Sequence, residues 1–142
     1  MKKFKYPLIA DKFEKKEIDD AVKVLRAGQF TMSKLTNNFE NRFAKYIGSK
    51  YAVMVNSGSS ANFLAVQALI NPAREIKIQK GDEVLIPGIC WSTSLWPLVQ
   101  SGLKPVFVDV DIDTLNIDIN DLEKKISKKT KMIFCVHILG NS

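Results

Sequence analysis

The residues with the clearest chemical potential are Asn56-Ser57-Gly58-Ser59-Ser60, a small polar turn between the apolar run Tyr51–Val55 and the helix-forming run Ala61–Leu69. Where a strand feeds a helix through a Gly/Ser turn, the first helical N–H groups have no intrahelical partner. The helix dipole adds partial positive charge, so the junction suits a phosphate. Two common phosphate motifs fail here. Gly58 is followed by Ser59 and Ser60 with no lysine, and it is the only glycine in a turn where a dinucleotide fingerprint needs three. The serines also lie outside a Gly-x-Ser-x-Gly elbow, so no hydrolase triad is assigned. Asp109-Val110-Asp111-Ile112-Asp113 begins like a calcium loop. Thr114 stands where glycine is needed and Asn120 where a bidentate glutamate is needed, so no metal is assigned. His137 is the sole histidine, at the end of an apolar run, where a structural role is commoner than a catalytic one.

The elements that must position this turn follow from periodicity. Apolar residues at Ile18, Ala21, Val22 and Leu25 predict a helix over 11–27, stopped by Gly28. Leu35, Phe39, Phe43, Tyr46 and Ile47 predict a second, ending at Gly48. Phe30 and Met32, in the link between them, are expected to staple onto the core or to line a site wall. From residue 51 the chain alternates. Strands are expected at 51–55, 82–86, 105–110 and 131–136, and helices at 60–69, 92–100 and 120–126, with the longest loop over 71–80. That alternation means a parallel sheet with right-handed crossovers, and the continuous apolar runs suit strands covered on both faces. Ligands of such sheets bind beyond the carboxyl ends of the strands. This places Trp91, which could stack on a flat ring, beside the phosphate turn, whereas Trp96 reads as a packing residue.

Composition narrows the classes. Hydrophobic residues are 46% and charged residues 25% of 142, which describes a globular chain. The excess of 21 basic over 15 acidic residues gives +6, but the lysines are scattered or lie in runs such as Lys124-Lys125, as on a solvated helix face, so nucleic acid is not an expected partner. Cys90 and Cys135 fall in no metal or redox spacing and are expected to be reduced thiols of a cytoplasmic protein. No apolar run approaches the roughly 20 residues of a membrane span.

Four blocks in order carry a family resemblance: the run from Val55 to Asn62, Gly81 to Pro87, Pro105 to Asp111, and Val136 to Gly140. They resemble the N-terminal part of the DegT/StrS family of sugar aminotransferases, from the Gly28–Thr31 link to the end of the chain. The resemblance implies an α/β fold: the parallel-sheet large domain of the aspartate aminotransferase fold (pyridoxal-phosphate fold type I), in part only, preceded by two N-terminal helices. Residues 1–50 would be the N-terminal helical segment and 51–142 the first part of the cofactor domain. It implies pyridoxal 5'-phosphate as cofactor, its phosphate on Gly58, Ser59 and Ser60 and its ring against Trp91. Phe30 and Thr31 become candidates for the substrate wall because their link matches the family.

The implied function is transamination of a nucleotide-linked 4-keto-6-deoxysugar for surface polysaccharide or deoxysugar biosynthesis, in a homodimer. Phe30-Thr31-Met32, the run from Cys90 to Pro97, and the run from His137 to Asn141 also resemble the branch that removes a sugar 3-hydroxyl, in which histidine replaces the usual lysine. That lysine or histidine, and the aspartate facing the pyridine nitrogen, come later in the family than Ser142. The expectation is therefore the N-terminal part of a longer enzyme, with no catalytic residue among these 142 and no activity from them alone. A non-catalytic phosphate-binding fragment is the remaining alternative.

Overall fold

A computed structural model describes residues 13–75 and 78–141. The chain divides into two compact units, Met1–Met54 and Val55–Ser142.

The first unit holds helices α1 (Lys15–Ala27) and α2 (Lys34–Ile47). The Glu17 carboxylate accepts the Glu14 N–H at 2.6 Å to open α1, and Ser33 Oγ accepts the Thr36 N–H at 3.2 Å to open α2. Gly28 and Gly48 close the two helices in the left-handed region, at φ 67° and 80°, where a side chain would be strained. The expected start of the first helix at Asp11 lies outside the described residues. Both apolar stripes form as their spacing predicts, but they remain open: of the two helices only Ala44 is buried, and Phe39 and Phe43 stack at 5.7 Å. Phe30 and Met32 are exposed as well.

The expected strand at Tyr51–Val55 does not form. The segment is non-helical, has no ladder partner among the described residues, and leaves Tyr51 75% and Val53 76% exposed. Its β-branched composition favours an extended backbone, but a strand exists only where a neighbour accepts its hydrogen bonds.

The second unit is built on β1 (Glu83–Pro87), flanked in parallel by β2 (Lys104–Val108) and β3 (Thr130–Ile133) in the order β2-β1-β3. Helices α3 (Gly58–Leu69), α4 (Ser92–Gln100) and α5 (Ile119–Lys125) complete it. Among the described residues the sheet thus has three strands and not the four expected. Val84 and Ile86 pack on one face against Val66 of α3 and Leu98 of α4, while Leu85 packs on the other against Val108 and Leu122 of α5. Only the central strand meets the expectation of cover on both faces; Phe107 on β2 and Ile133 on β3 stay exposed. Within α4, Pro97 has no N–H, so the Thr93 carbonyl lacks its usual helical donor.

The acidic segment after β2 is a tight loop. Asp111 Oδ1 accepts the N–H groups of Asp113 and Thr114 and the Thr114 hydroxyl, and an antiparallel bridge joins Val110 to Ile117. Chiefly the Thr114 N–H, then its hydroxyl, hold the Asp111 carboxyl below its ordinary value. Asp121 is held down in the same way, first by the Asp109 N–H at 2.7 Å and then by Lys125 at 2.7 Å. A depressed folded pKa adds stability above the unfolded carboxylate range of about 4 and loses it as pH falls through the folded value. The melting temperature is therefore expected to drop as pH is lowered below about 4, and Asp121→Asn to flatten that drop in a pH series of thermal melts.

Candidate functional site

The site is assembled by two helix starts held side by side. Ser57 caps α3, its Oγ accepting the Ser60 N–H at 3.2 Å, so the helix begins at Gly58, two residues earlier than periodicity suggests. Ser60 Oγ in turn donates to Asn56 Oδ1 at 2.7 Å, pinning the turn from its other side. Trp91 occupies the cap position of α4, its carbonyl accepting the Ser94 N–H at 2.9 Å. The two starts meet where Ser59 Oγ donates to Thr93 Oγ1 at 3.1 Å.

Among the described residues, the N–H groups of Gly58, Ser59, Ser92 and Thr93 find no acceptor. Two helix dipoles thus present unpaired donors at neighbouring ends, an arrangement that stabilises an anion more than either end alone. Space is available as well, since a Cβ placed on Gly58 would meet nothing within 4 Å. Trp91 is 74% exposed, leaving ring area free for a ligand. Free donors, room above a glycine and an open aromatic together fit a phosphate ester carried on a flat ring.

Of the residues singled out from sequence, Gly58, Ser59, Ser60 and Trp91 therefore lie at these two helix starts. Phe30 and Thr31 are exposed in the link of the first unit. Trp96 is not the packing residue expected: it is 53% exposed and lines a 500 Å³ groove with Ser59, Phe63, Thr93, Pro97 and Gln100. His137 is exposed and borders a separate cavity of 440 Å³ with Asp111, Asn116 and Cys135. Cys90 packs against the first core cluster, and burial pushes its thiol pKa up, so it is kept protonated. Thr93 escaped the reading of the sequence. The signal was present in Ser92-Thr93-Ser94, a hydroxyl run opening the helix after Trp91, with Thr93 at the same position in α4 as Ser59 in α3.

Residues 11–142 match the model of the DegT/DnrJ/EryC1/StrS aminotransferase family. The chain belongs to this family. Its DegT-type relatives include a GDP-4-keto-6-deoxy-D-mannose 3-dehydratase of Yersinia pseudotuberculosis, 43% identical over 96% of this chain and 34% of that protein. A crystal structure of GDP-4-keto-6-deoxymannose-3-dehydratase with a trapped PLP-glutamate geminal diamine superposes with a TM-score of 0.90 at 44% identity, covering 97% of this chain and 36% of that one. A dTDP-3-amino-3,6-dideoxy-alpha-D-galactopyranose transaminase of Aneurinibacillus thermoaerophilus is 37% identical over 89% of this chain and 33% of its own length. The chain spans about a third of the length of the DegT-family proteins it matches. These neighbours bear out the fold-type-I parallel α/β class expected from sequence. No helix among the described residues is long and apolar enough to cross a membrane.

Proposed function

We propose that the complete protein is a pyridoxal-phosphate-dependent 3-dehydratase acting on a nucleotide-linked 4-keto-6-deoxysugar, for surface polysaccharide or deoxysugar synthesis. The observation that carries this reading is the identity of 43–44% to GDP-4-keto-6-deoxymannose 3-dehydratases, one of them seen with the cofactor, over nearly the whole chain. The paired helix starts support the cofactor part of this reading independently, as a seat for its phosphate. When bound, pyridoxal phosphate supplies an electron sink for bond breaking at the substrate carbon. The residues of this chain bind and orient. The N–H groups of Gly58 and Ser59 would take the phosphate, the Ser59 and Ser60 side chains would hold the turn in shape through Thr93 and Asn56, and Trp91 would cover one face of the ring. Phe30 and Thr31 contribute to the substrate wall. The complete protein works in the cytoplasm as a homodimer.

Transamination of the same class of substrate is the second reading, favoured by the 37% identity to a transaminase. One experiment separates them. The complete protein is loaded with pyridoxal phosphate, followed by its visible absorbance, and supplied with GDP-4-keto-6-deoxymannose and glutamate. A product lacking the 3-hydroxyl supports dehydration and an amino sugar supports transamination; no absorbance change on adding cofactor sinks both.

Gly58→Ala probes the seat itself. Alanine is preferred to glycine in a helix by about 0.5–1 kcal/mol, and nothing in the chain opposes the added methyl, so the melting temperature should hold or rise. Cofactor affinity should nevertheless fall about tenfold, about 1.4 kcal/mol, because the methyl takes the space where phosphate oxygens approach the backbone. Equilibrium titration of both variants reads the difference.

A further inference from the structure

We propose that Thr93 is a positioning residue for the phosphate seat: it accepts the Ser59 hydroxyl and locks the starts of α3 and α4 together. This rests on the cofactor reading above and goes beyond it, because it assigns a role on the second helix to a residue that the family resemblance leaves without one.

Three side-chain rungs join α3 to α4. Ser59 donates to Thr93 at 3.1 Å, Asn62 to Ser94 at 3.4 Å and Gln67 to Ser101 at 2.9 Å, with sequence offsets of 34, 32 and 34. A nearly constant offset means that the helices run parallel and in step. Parallel dipoles side by side repel, and their positive ends coincide at the seat. The middle rung is secured, since Ser94 is buried, and the last ties α3 to the C-cap of α4. The first rung alone lies at the seat. Its hydroxyls border an open groove, so they are not held by surrounding packing. Pro97 also removes the helical donor that would anchor the Thr93 carbonyl, so the first turn of α4 relies more on its neighbour.

The hydroxyl pair has a direction. Ser59 spends its proton on Thr93, which fixes the Ser59 rotamer and with it the direction of the Ser59 N–H at the seat. Thr93 is β-branched and so has fewer χ1 options than serine in the same place. Removing the acceptor frees the Ser59 side chain to rotate and lets the two helix starts separate.

The test compares pyridoxal 5'-phosphate with pyridoxal, which lacks the phosphate, on the complete protein. Thr93→Val keeps the shape and deletes the acceptor. It is expected to weaken pyridoxal phosphate binding about 5- to 10-fold while leaving pyridoxal binding within about twofold, the loss of one hydrogen bond at the phosphate end. Thr93→Ser should recover most of the affinity. Ser59→Ala should weaken binding, and adding Thr93→Val to it should cost little more, since both remove the same rung. Should Thr93→Val fail to fold, the Ser59→Ala and Thr93→Ser titrations decide. Wild-type affinity in Thr93→Val, equal losses for both ligands, or additive losses in the double variant would overturn the role of Thr93 while the cofactor reading stands. A wild-type protein that does not bind pyridoxal phosphate overturns both.

Discussion

Leu85→Ala is expected to destabilise the second unit by about 2–5 kcal/mol, the range for emptying a leucine site in a packed core. Leu85 is fully buried at the centre of β1, against Val108 and Leu122, and its carbonyl accepts the Phe134 N–H at 2.8 Å. The cavity would open on the face covered by a single short helix, α5. Domain stabilities are about 5–15 kcal/mol in total, so the loss is a large share of what holds this unit together. A urea denaturation curve measures it as a lower midpoint. A midpoint equal to the wild type would mean that the α5 face is not part of the cooperative core.

Trp91→Ala has the second large effect, and it acts on binding and hardly on the fold. With 74% of the residue exposed, its removal should shift stability by no more than about 0.5 kcal/mol. Loss of ring stacking and of buried apolar area should weaken pyridoxal phosphate affinity about tenfold, with Trp91→Phe in between. Titration of the complete protein, followed by cofactor absorbance, gives the ratio. Unchanged affinity in the alanine variant rejects stacking by Trp91 and leaves the phosphate seat to stand or fall on Gly58.

Local features of this protein were legible where a residue's chemistry acts on its own neighbours. Gly28 and Gly48 end their helices as expected, and the span Ser92–Gln100 is helical over the length that its composition suggests. Tyr51–Val55 and Glu83–Pro87 show the limit. Both are apolar and β-prone, yet only the second forms a strand, because only it lies between two segments that complete its hydrogen bonds. Trp96 misled for a related reason: its exposure depends on the groove between α3 and α4, which no local pattern encodes. At the candidate site, the small polar turn and Trp91 could be picked out by residue type. The tie from Ser59 to Thr93 could not, since it joins residues 34 apart through a packing of two helices.

The strand order carries a consequence for how the protein is made. Among the described residues β1 is the first strand in sequence and the middle one in space, so each edge is filled by a later segment: Glu83 pairs with Lys104 on one side and Thr130 on the other. During synthesis the apolar run from Val84 to Pro87 leaves the ribosome with both edges unpaired, and one stays open until the chain has been extended through β3. Parallel pairing of this kind waits on loop closure before any contact repays it, which makes the nascent chain slow to fold and prone to aggregate over that interval. In the folded chain Val66 of α3 and Leu98 of α4 cover one face of the strand, and both lie in segments made before either β3 or α5.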